Sequence, residues 1–339
     1  MDIDWANLPF GYLKTKSNTR CLFSDGKWGK MEISESENIN MHMAATCLHY
    51  GQECFEGLKA YRGKDGKIRL FRWEENAKRI NRSAARIGLP EVPQELFKEM
   101  LFTLVKENAD FVPPYGTGAS LYVRPLMVGL SPRLGISAST EVLLVLFCSP
   151  VGPYYKGGFK PIKVIVERGS DRAAPLGTGT VKIGGNYAAA LNMTIKSHEM
   201  GYGAALYLDP KEKKYIDECG PANFFAIKGD KYITPKSTSI LPSITNMSLQ
   251  DVASQILGLK VEQRQFPLVE LSECDEAAEC GTAAVISPIS AVFDPDENKS
   301  YTFGDQVNPG KTCVKLYETL VGIQYGDVAD PFGWISFVE

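Results

Sequence analysis

Residues 168–180 form a stretch without hydrophobic periodicity near the middle of this 339-residue chain. The stretch is rich in Gly, Ala, Asp and Pro, a composition typical of loops and linkers. Because single hydrophobic cores stop growing at roughly 250–300 residues, a chain of this length favours two domains. The sequence therefore predicts an α/β protein with a smaller first domain over residues 1–168, a linker over 169–180 and a larger second domain over 181–339.

Helical and strand-like patterns occur on both sides of that stretch. Apolar residues at three- and four-residue intervals predict an amphipathic helix over residues 73–88. Strict alternation over residues 119–129 predicts a strand that carries Tyr122 and Arg124 on one face. A further helix, predicted over residues 248–257, would offer free backbone amides where the chain enters it.

Composition and charge exclude several classes of function. With 44% hydrophobic residues, 23% charged residues and a formal net charge of -3, the chain has no strongly basic character for binding nucleic acid. The longest apolar stretch, around residues 142–148, is too short to cross a bilayer, and the acidic N-terminus is unlike a signal peptide. We therefore expect a cytoplasmic protein with no nucleic-acid or membrane partner.

Cysteine and histidine usage limits the available chemistry. The eight cysteines include no Cys-x-x-Cys pair and no Cys/His spacing that fits a zinc site. Only three histidines are present, which gives little support to a histidine-centred metal site or a Ser-His-Asp triad. We expect reduced thiols, no metal site and catalysis by other groups.

Lys182 lies at the edge of a Gly-Gly-Asn turn, within Val-Lys-Ile-Gly-Gly-Asn-Tyr at residues 181–187. The two glycines leave room for close approach to the backbone, and Asn186 is expected to cap a helix that begins near Tyr187. A lysine in a partly dry site loses some proton affinity and can attack a carbonyl, so Lys182 is the candidate reactive residue. A solvated lysine beside a turn is the alternative that this heptapeptide leaves open.

Glycine-rich nucleotide fingerprints do not fit the sequence. Gly177 and Gly179 are followed by Lys182 where the third glycine of a dinucleotide-binding loop belongs. Residues 304–312 place five residues, rather than four, between the first glycine and Gly-Lys-Thr. A bound phosphate must therefore be held by other groups.

Several features together carry a specific resemblance, namely the lysine turn, Arg79, Glu218, Ile244-Thr245 and Gly281-Thr282-Ala283. Further matching segments are His49-Tyr50-Gly51, Phe55-Glu56-Gly57, Phe71-Arg72, Leu121-Tyr122-Val123-Arg124-Pro125 and Leu241-Pro242. The chain resembles the branched-chain amino-acid aminotransferases of fold type IV, a pyridoxal-phosphate family that also includes D-amino-acid aminotransferase and aminodeoxychorismate lyase. The resemblance runs from about Leu48 to Tyr325.

The resemblance implies a two-domain fold type IV architecture with pyridoxal 5'-phosphate in the cleft between the domains. Lys182 would bind the cofactor covalently and carry a proton during the reaction, while Glu218 would face the pyridine nitrogen. The residues implied to hold the phosphate or the ring are Arg79, Tyr187, Ile244, Thr245 and Thr282. Without the resemblance, Glu218 could equally be an exposed turn residue and Arg79 a solvated helix arginine.

The resemblance also implies the substrate contacts. A substrate carboxylate would lie near Tyr122, Arg124 and the amides of Thr282 and Ala283. An apolar side-chain pocket would be lined by Tyr50, Phe55 and Tyr122. Ordinary core packing is the alternative for these aromatic residues.

The implied activity is reversible transfer of the amino group of leucine, isoleucine or valine to 2-oxoglutarate with ping-pong kinetics. The implied assembly is a homodimer in which Tyr50 reaches the neighbouring active site. A D-amino-acid aminotransferase, an aminodeoxychorismate-lyase-like enzyme and a non-catalytic small-molecule-binding protein are the alternatives. Some family members carry a Cys-x-x-Cys thiol switch after the Gly-Thr-Ala turn. Here those positions are Ala284 and Ser287, so no switch is expected.

Overall fold

The computed structural model describes residues 3–155 and 157–339. The chain divides into two compact units, of which the first comprises Met1–Tyr154, Val181–Gly184 and Gly322–Glu339 and the second comprises Tyr155–Thr180 and Gly185–Val321. This division differs from the predicted domain boundaries, because the expected linker over residues 169–180 lies inside the second unit. Residues 181–184 join the first unit because Val181 and Ile183 pack into its hydrophobic core.

The elements before residue 155 are mainly strands, with two long helices. They are β1 (Asn18–Ser24), β2 (Lys27–Trp28), β3 (Glu32–Ser34), α1 (Thr46–Tyr50), β4 (Glu53–Phe55), β5 (Leu58–Arg62), β6 (Ile68–Phe71), α2 (Trp73–Arg86), α3 (Gln94–Glu107), β7 (Ser120–Gly129) and β8 (Val142–Val151). The helix predicted over residues 73–88 is confirmed as α2, and the strand predicted over residues 119–129 is confirmed as β7.

The remaining elements alternate between strands and single helices. They are β9 (Ile162–Glu167), α4 (Gly184–Glu199), β10 (Ala204–Leu208), β11 (Ile216–Cys219), β12 (Asn223–Lys228), β13 (Lys231–Pro235), α5 (Ile244–Asp251), β14 (Lys260–Arg264), β15 (Glu276–Gly281), β16 (Val285–Asp294), β17 (Lys299–Thr302), α6 (Lys311–Tyr325) and β18 (Ile335–Val338). Throughout residues 3–155 and 157–339, no helix combines the length and the apolar character needed to cross a membrane.

Two helix starts differ from their predictions. Asn186 does not cap α4, because that helix already begins at Gly184. Its side chain instead donates to the Thr178 carbonyl oxygen and accepts from the Thr178 hydroxyl, both at 2.7 Å. Helix α5 begins at Ile244, four residues before the predicted start, because the Ser243 hydroxyl caps it by accepting from the Asn246 amide at 3.2 Å.

The first unit is built on one antiparallel sheet. Its strands run in the order β18-β6-β5-β7-β8-β1-β2, with β3 paired to β1 and β4 paired to β7. The alternation of β7 sends Leu121 and Val123 into a core shared with α2 and α3. Tyr122 and Arg124 therefore lie on the opposite face, as the sequence predicts.

The second unit contains a mixed sheet with the order β11-β10-β9-β16-β15-β12-β13-β14. Strand β11 pairs with β10 and also with β12, so six of the strands described here close into a ring. Closure places Glu218 of β11 directly opposite Asn223 of β12. The core of this unit is apolar and includes Val164, Leu206 and Phe224.

The start of α6 is capped from a distant strand. The Glu276 carboxylate of β15 accepts hydrogen bonds from the amides of Thr312 at 2.9 Å and Cys313 at 2.8 Å. A side chain at Gly310 would overlap this carboxylate, so the glycine leaves room for the cap. Negative charge at a helix N-terminus is stabilising, because it pairs with free amides and with the helix dipole.

We expect Glu276→Ala to lower the free energy of unfolding by about 0.5–2 kcal/mol, the usual effect of losing a helix cap. The matched control is Glu318→Ala on the exposed face of α6, for which the change should stay within roughly 0.5 kcal/mol. Urea unfolding followed by circular dichroism measures both. Equal effects of the two substitutions would contradict the capping role.

Candidate functional site

Lys182 is held by backbone contacts within the first unit. Its amide donates to the Ser83 hydroxyl of α2 at 3.0 Å, and its carbonyl oxygen accepts from the Phe55 amide at 3.1 Å. The Gly184 amide donates to the Glu53 carboxylate. The Lys182 ammonium lies 5.0 Å from the centre of the Phe55 ring. The lysine predicted to be reactive is thus fixed between α2 and β4.

Arg79 and Glu56 form a buried ion pair beside this lysine. Arg79 Nε donates to Glu56 Oε1 at 2.6 Å and Arg79 Nη2 donates to Glu56 Oε2 at 2.8 Å. Asn76 Nδ2 donates to Glu56 Oε2 at 2.7 Å. Burial alone raises the pKa of Glu56, but Arg79, Lys182 and Asn76 together hold it below its ordinary value. Arg79 is 3% exposed, so the alternative of a solvated helix arginine is wrong.

Tyr122, Arg124 and Phe55 form an aromatic and cationic cluster in the same unit. The Arg124 guanidinium carbon lies 4.7 Å from the centre of the Phe55 ring and 5.4 Å from that of Tyr122. Within the described part of the chain, Arg124 Nε is buried and makes no hydrogen bond. A side chain at Gly57 would overlap the Tyr122 hydroxyl, so this glycine makes room for the tyrosine.

Two residues near this cluster were missed by the sequence reasoning. The Phe10 ring lies edge-on to Tyr122, with 5.3 Å between ring centres. Lys59 of β5 pairs with Tyr122 across the sheet and therefore shares its face. Lys59 is 7% exposed, and burial lowers its pKa to about 8. Strand alternation could have found Lys59, whereas the irregular N-terminal segment gives no signal for Phe10.

Tyr50 lies at the surface of the first unit. Its side chain is 40% exposed and stacks on His49, with 4.3 Å between ring centres. Its hydroxyl donates to the carbonyl oxygen of Leu134, a residue that is 87% exposed. The predicted role of Tyr50 in a neighbouring subunit remains a prediction.

Glu218 lies buried in the second unit, on β11. Its Oε1 accepts from the Leu241 amide at 3.3 Å and is paired with the guanidinium of Arg172. Its Oε2 accepts from Asn223 Nδ2 at 2.6 Å. Burial raises the pKa of Glu218, and Arg172, Leu241 and Asn223 oppose that rise. The alternative of an exposed turn glutamate is therefore wrong.

Asn223 links Glu218 to the start of α5. Its Oδ1 accepts from Asn246 Nδ2 at 3.2 Å, and its Nδ2 also donates to the Leu241 carbonyl oxygen at 3.0 Å. The first helical residues, Ile244 and Thr245, are both buried. The structure thus brings two of the predicted cofactor-binding elements of the second unit together through one asparagine.

The remaining predicted site residues of the second unit lie at less buried positions. Thr282 and Ala283 form the turn between β15 and β16 and are partly exposed. Tyr187 lies on α4 and is 38% exposed. Their predicted contacts with a ligand are not tested by the geometry of the chain alone.

Comparison with known proteins gives one consistent result. The sequence matches the amino-transferase class IV family over residues 53–292. It is 45% identical to the branched-chain-amino-acid aminotransferase of Haemophilus influenzae, covering 100% of this chain and 99% of that protein. The branched-chain amino acid aminotransferase structure of Escherichia coli is 25% identical, with a TM-score of 0.79 and coverage of 96% and 100%. That of Thermobaculum terrenum in its PLP form is 22% identical, with a TM-score of 0.78 and coverage of 96% and 99%.

We expect Glu56→Gln to lower the free energy of unfolding by about 3–5 kcal/mol, because it removes the carboxylate that neutralises the buried Arg79. The matched control is Glu75→Gln on the same helix as Arg79, where an exposed pair with Lys78 is lost. An exposed pair contributes roughly 0–1 kcal/mol. Urea unfolding measures both variants, and a Glu56→Gln effect as small as the control would contradict this account of the pair.

Proposed function

The chain belongs to the amino-transferase class IV family, and we propose that it is a branched-chain-amino-acid transaminase using pyridoxal 5'-phosphate. It would transfer the amino group of leucine, isoleucine or valine reversibly to 2-oxoglutarate by a ping-pong mechanism, as a homodimer in the cytoplasm. The relative from Haemophilus influenzae, 45% identical over the whole chain, supports the activity. The observation that carries the cofactor assignment is the environment of Glu218.

The Glu218 carboxylate fits the ring nitrogen of this cofactor. A carboxylate has about four acceptor sites, and the described residues provide three donors, from Arg172, Leu241 and Asn223. One acceptor site on Oε2 is therefore left for a fourth donor, and the N–H of a protonated pyridine ring supplies that chemistry. The buried carboxylate would keep the ring nitrogen protonated. When bound, the cofactor supplies an aldehyde that reacts with amines and a ring that accepts an electron pair.

The phosphate would be held by backbone amides, one hydroxyl group and one arginine. The amides of Ile244 and Thr245 begin α5, and a helix N-terminus favours anions through free amides and its dipole. Thr282 would add its hydroxyl. Arg79 would contribute positive charge, and its guanidinium is oriented by its ion pair with Glu56.

Lys182 would act as both the attachment point and the proton carrier. Hydrogen bonds to Ser83 and Phe55 fix its backbone, so the side-chain amine moves about a fixed Cα position. The free amine of Lys182 would accept the proton from the substrate Cα and deliver it to C4′ of the cofactor, and it would move the proton the opposite way in the reverse reaction. The Tyr187 hydroxyl would donate to the ring O3' of the cofactor.

The substrate carboxylate would be bound by Arg124 and Tyr122, together with the amides of Thr282 and Ala283. The buried Arg124 Nε has no hydrogen-bond partner among the described residues, which leaves a charged donor for such a carboxylate. Phe55, Tyr122 and the Tyr50 of a second copy would line the space for an aliphatic side chain. Tyr50 is 40% exposed in the single chain, which leaves its ring accessible to a second copy.

We expect purified protein supplied with pyridoxal 5'-phosphate to form glutamate from leucine and 2-oxoglutarate. Lys182→Ala should lower this activity by several orders of magnitude, because a single general acid-base group already contributes roughly 10²-fold or more. Lys196→Ala, at an exposed position of α4, is the control and should leave the rate unchanged. Activity of Lys182→Ala within about tenfold of wild type would contradict the assignment, since a proton carrier alone contributes more than that.

The role of Tyr50 is tested by subunit complementation. We expect Lys182→Ala and Tyr50→Ala homodimers to be nearly inactive and their exchanged mixture to recover roughly a quarter of wild-type activity. After random exchange, half of the dimers contain one chain of each kind. With an isologous two-fold interface, each mixed dimer has one intact site, with Lys182 from one chain and Tyr50 from the other, and one site that lacks both residues. Absence of recovery after demonstrated exchange would contradict the shared site and leave the cofactor assignment intact.

A further inference from the structure

Arg172 lies in the aperiodic segment that the sequence suggested as a linker, yet its side chain is almost fully buried in the second unit. Its guanidinium is paired with Glu218 Oε1 and also donates to the carbonyl oxygens of Ser239 and, at 3.3 Å, Gly179. The side chain of Arg172 is 11% exposed and that of Glu218 is 5% exposed. A buried ion pair stabilises a protein only if its geometry is well defined. The hydrogen bonds to the two carbonyl oxygens fix the orientation of the Arg172 guanidinium.

A second buried carboxyl group, that of Asp217, lies next to Glu218 in the sequence. Asp217 precedes Glu218 on β11, and its Oδ2 accepts from the Ser239 hydroxyl at 2.5 Å. In the part of the chain described, Asp217 Oδ1 is buried without a hydrogen-bond partner. Burial raises the pKa of both carboxyl groups, and Arg172 opposes the rise at both. Arg172 is therefore the residue whose positive charge favours the ionised form of both carboxyl groups.

We propose that Arg172 is a positioning residue that keeps Glu218 ionised and directs its remaining acceptor site toward the ring nitrogen of the cofactor. This inference rests on the proposed function. Because the guanidinium touches the carboxylate directly, it attracts that group more strongly than it repels a more distant positive charge. Its contact on Oε1, together with the Leu241 amide, leaves the vacant acceptor site on Oε2, beside the hydrogen bond from Asn223.

A purely structural role is the competing explanation, because Arg172 also ties residues 169–180 to Ser239. The two roles differ in one respect. If Arg172 only anchors residues 169–180, its loss should weaken the binding of every cofactor analogue to the same extent. If Arg172 keeps Glu218 ionised, its loss should weaken the binding only of analogues that carry the ring nitrogen. Arg168 provides the matched control, since it anchors the same segment through Asp294 and the Lys213 carbonyl oxygen without touching Glu218.

The test compares the binding of pyridoxamine 5'-phosphate with that of its 1-deaza analogue, in which C–H replaces the ring nitrogen. Isothermal titration of the cofactor-free protein gives both dissociation constants. Wild type should prefer the parent compound, and Arg172→Met should reduce this preference by roughly 10- to 100-fold, the usual effect of losing a charge-assisted hydrogen bond. Glu218→Gln should reduce it similarly, and the double variant should reduce it no further, because both changes remove one interaction.

Arg168→Met should keep the preference of wild type, and Arg172→Lys should fall between wild type and Arg172→Met because it keeps the charge but loses the planar fork. Should Arg172→Met not fold, the comparison of Arg172→Lys with Arg168→Met carries the test. The nitrogen-15 resonance of labelled ring nitrogen should report a protonated ring in wild type and a shift toward neutral pyridine in the Arg172 variants.

An Arg172 variant that binds both compounds more weakly but retains the wild-type preference and resonance would overturn the positioning role. If wild type itself binds neither compound or shows no preference, the proposed function fails and this inference fails with it. The two failures are therefore distinguishable from the wild-type titration alone.

Discussion

Because the Glu218 carboxylate is buried, several separate segments of the second unit must supply hydrogen-bond donors to it. Removing a carboxylate from water costs several kcal/mol unless partners replace the lost hydration. The closure of β11 against β12 brings Asn223 to one oxygen, and the chain before α5 brings the Leu241 amide to the other. Arg172 completes the set from a segment with no regular structure. The closure of the strands and the path of that segment therefore both serve to bring hydrogen-bond donors to the Glu218 carboxylate.

The first unit meets the same constraint with a different solution. Glu56 has no exposed surface, and its carboxylate accepts three hydrogen bonds from Arg79 and Asn76 and one from the Gly57 amide. Both partners lie on α2, the helix whose Ser83 hydroxyl also binds the Lys182 amide. The ion pair and the lysine backbone therefore share one helix. A change that shifts α2 would alter the charge near Lys182 and the position of its backbone together.

Local patterns in the sequence predicted those parts of the fold that depend on neighbouring residues. Helix α2 and strand β7 follow from hydrophobic periodicity, and the face carrying Tyr122 and Arg124 follows from alternation. The predicted cap at Asn186 is wrong because α4 begins earlier, where the Glu53 carboxylate binds the Gly184 amide from far away in the sequence. The segment predicted as a linker lies inside the second unit for a similar reason, since Arg172 is anchored to residues more than forty positions away, such as Glu218.

The site residues came from the resemblance more than from the patterns. Taken alone, Arg79 and Glu218 were open to interpretation as solvated residues, and only the packed structure shows that both are buried with charged partners. Phe10 and Lys59 were missed because their neighbours, above all Tyr122, are joined to them by sheet pairing and tertiary packing.

The most direct test of the account identifies the lysine that binds the cofactor. The protein would be incubated with pyridoxal 5'-phosphate, reduced with borohydride, digested and analysed by mass spectrometry. The account predicts that the added mass of the reduced cofactor lies on the peptide containing Lys182, at that residue. Stoichiometric labelling of a different lysine, or no specific labelling, would contradict it.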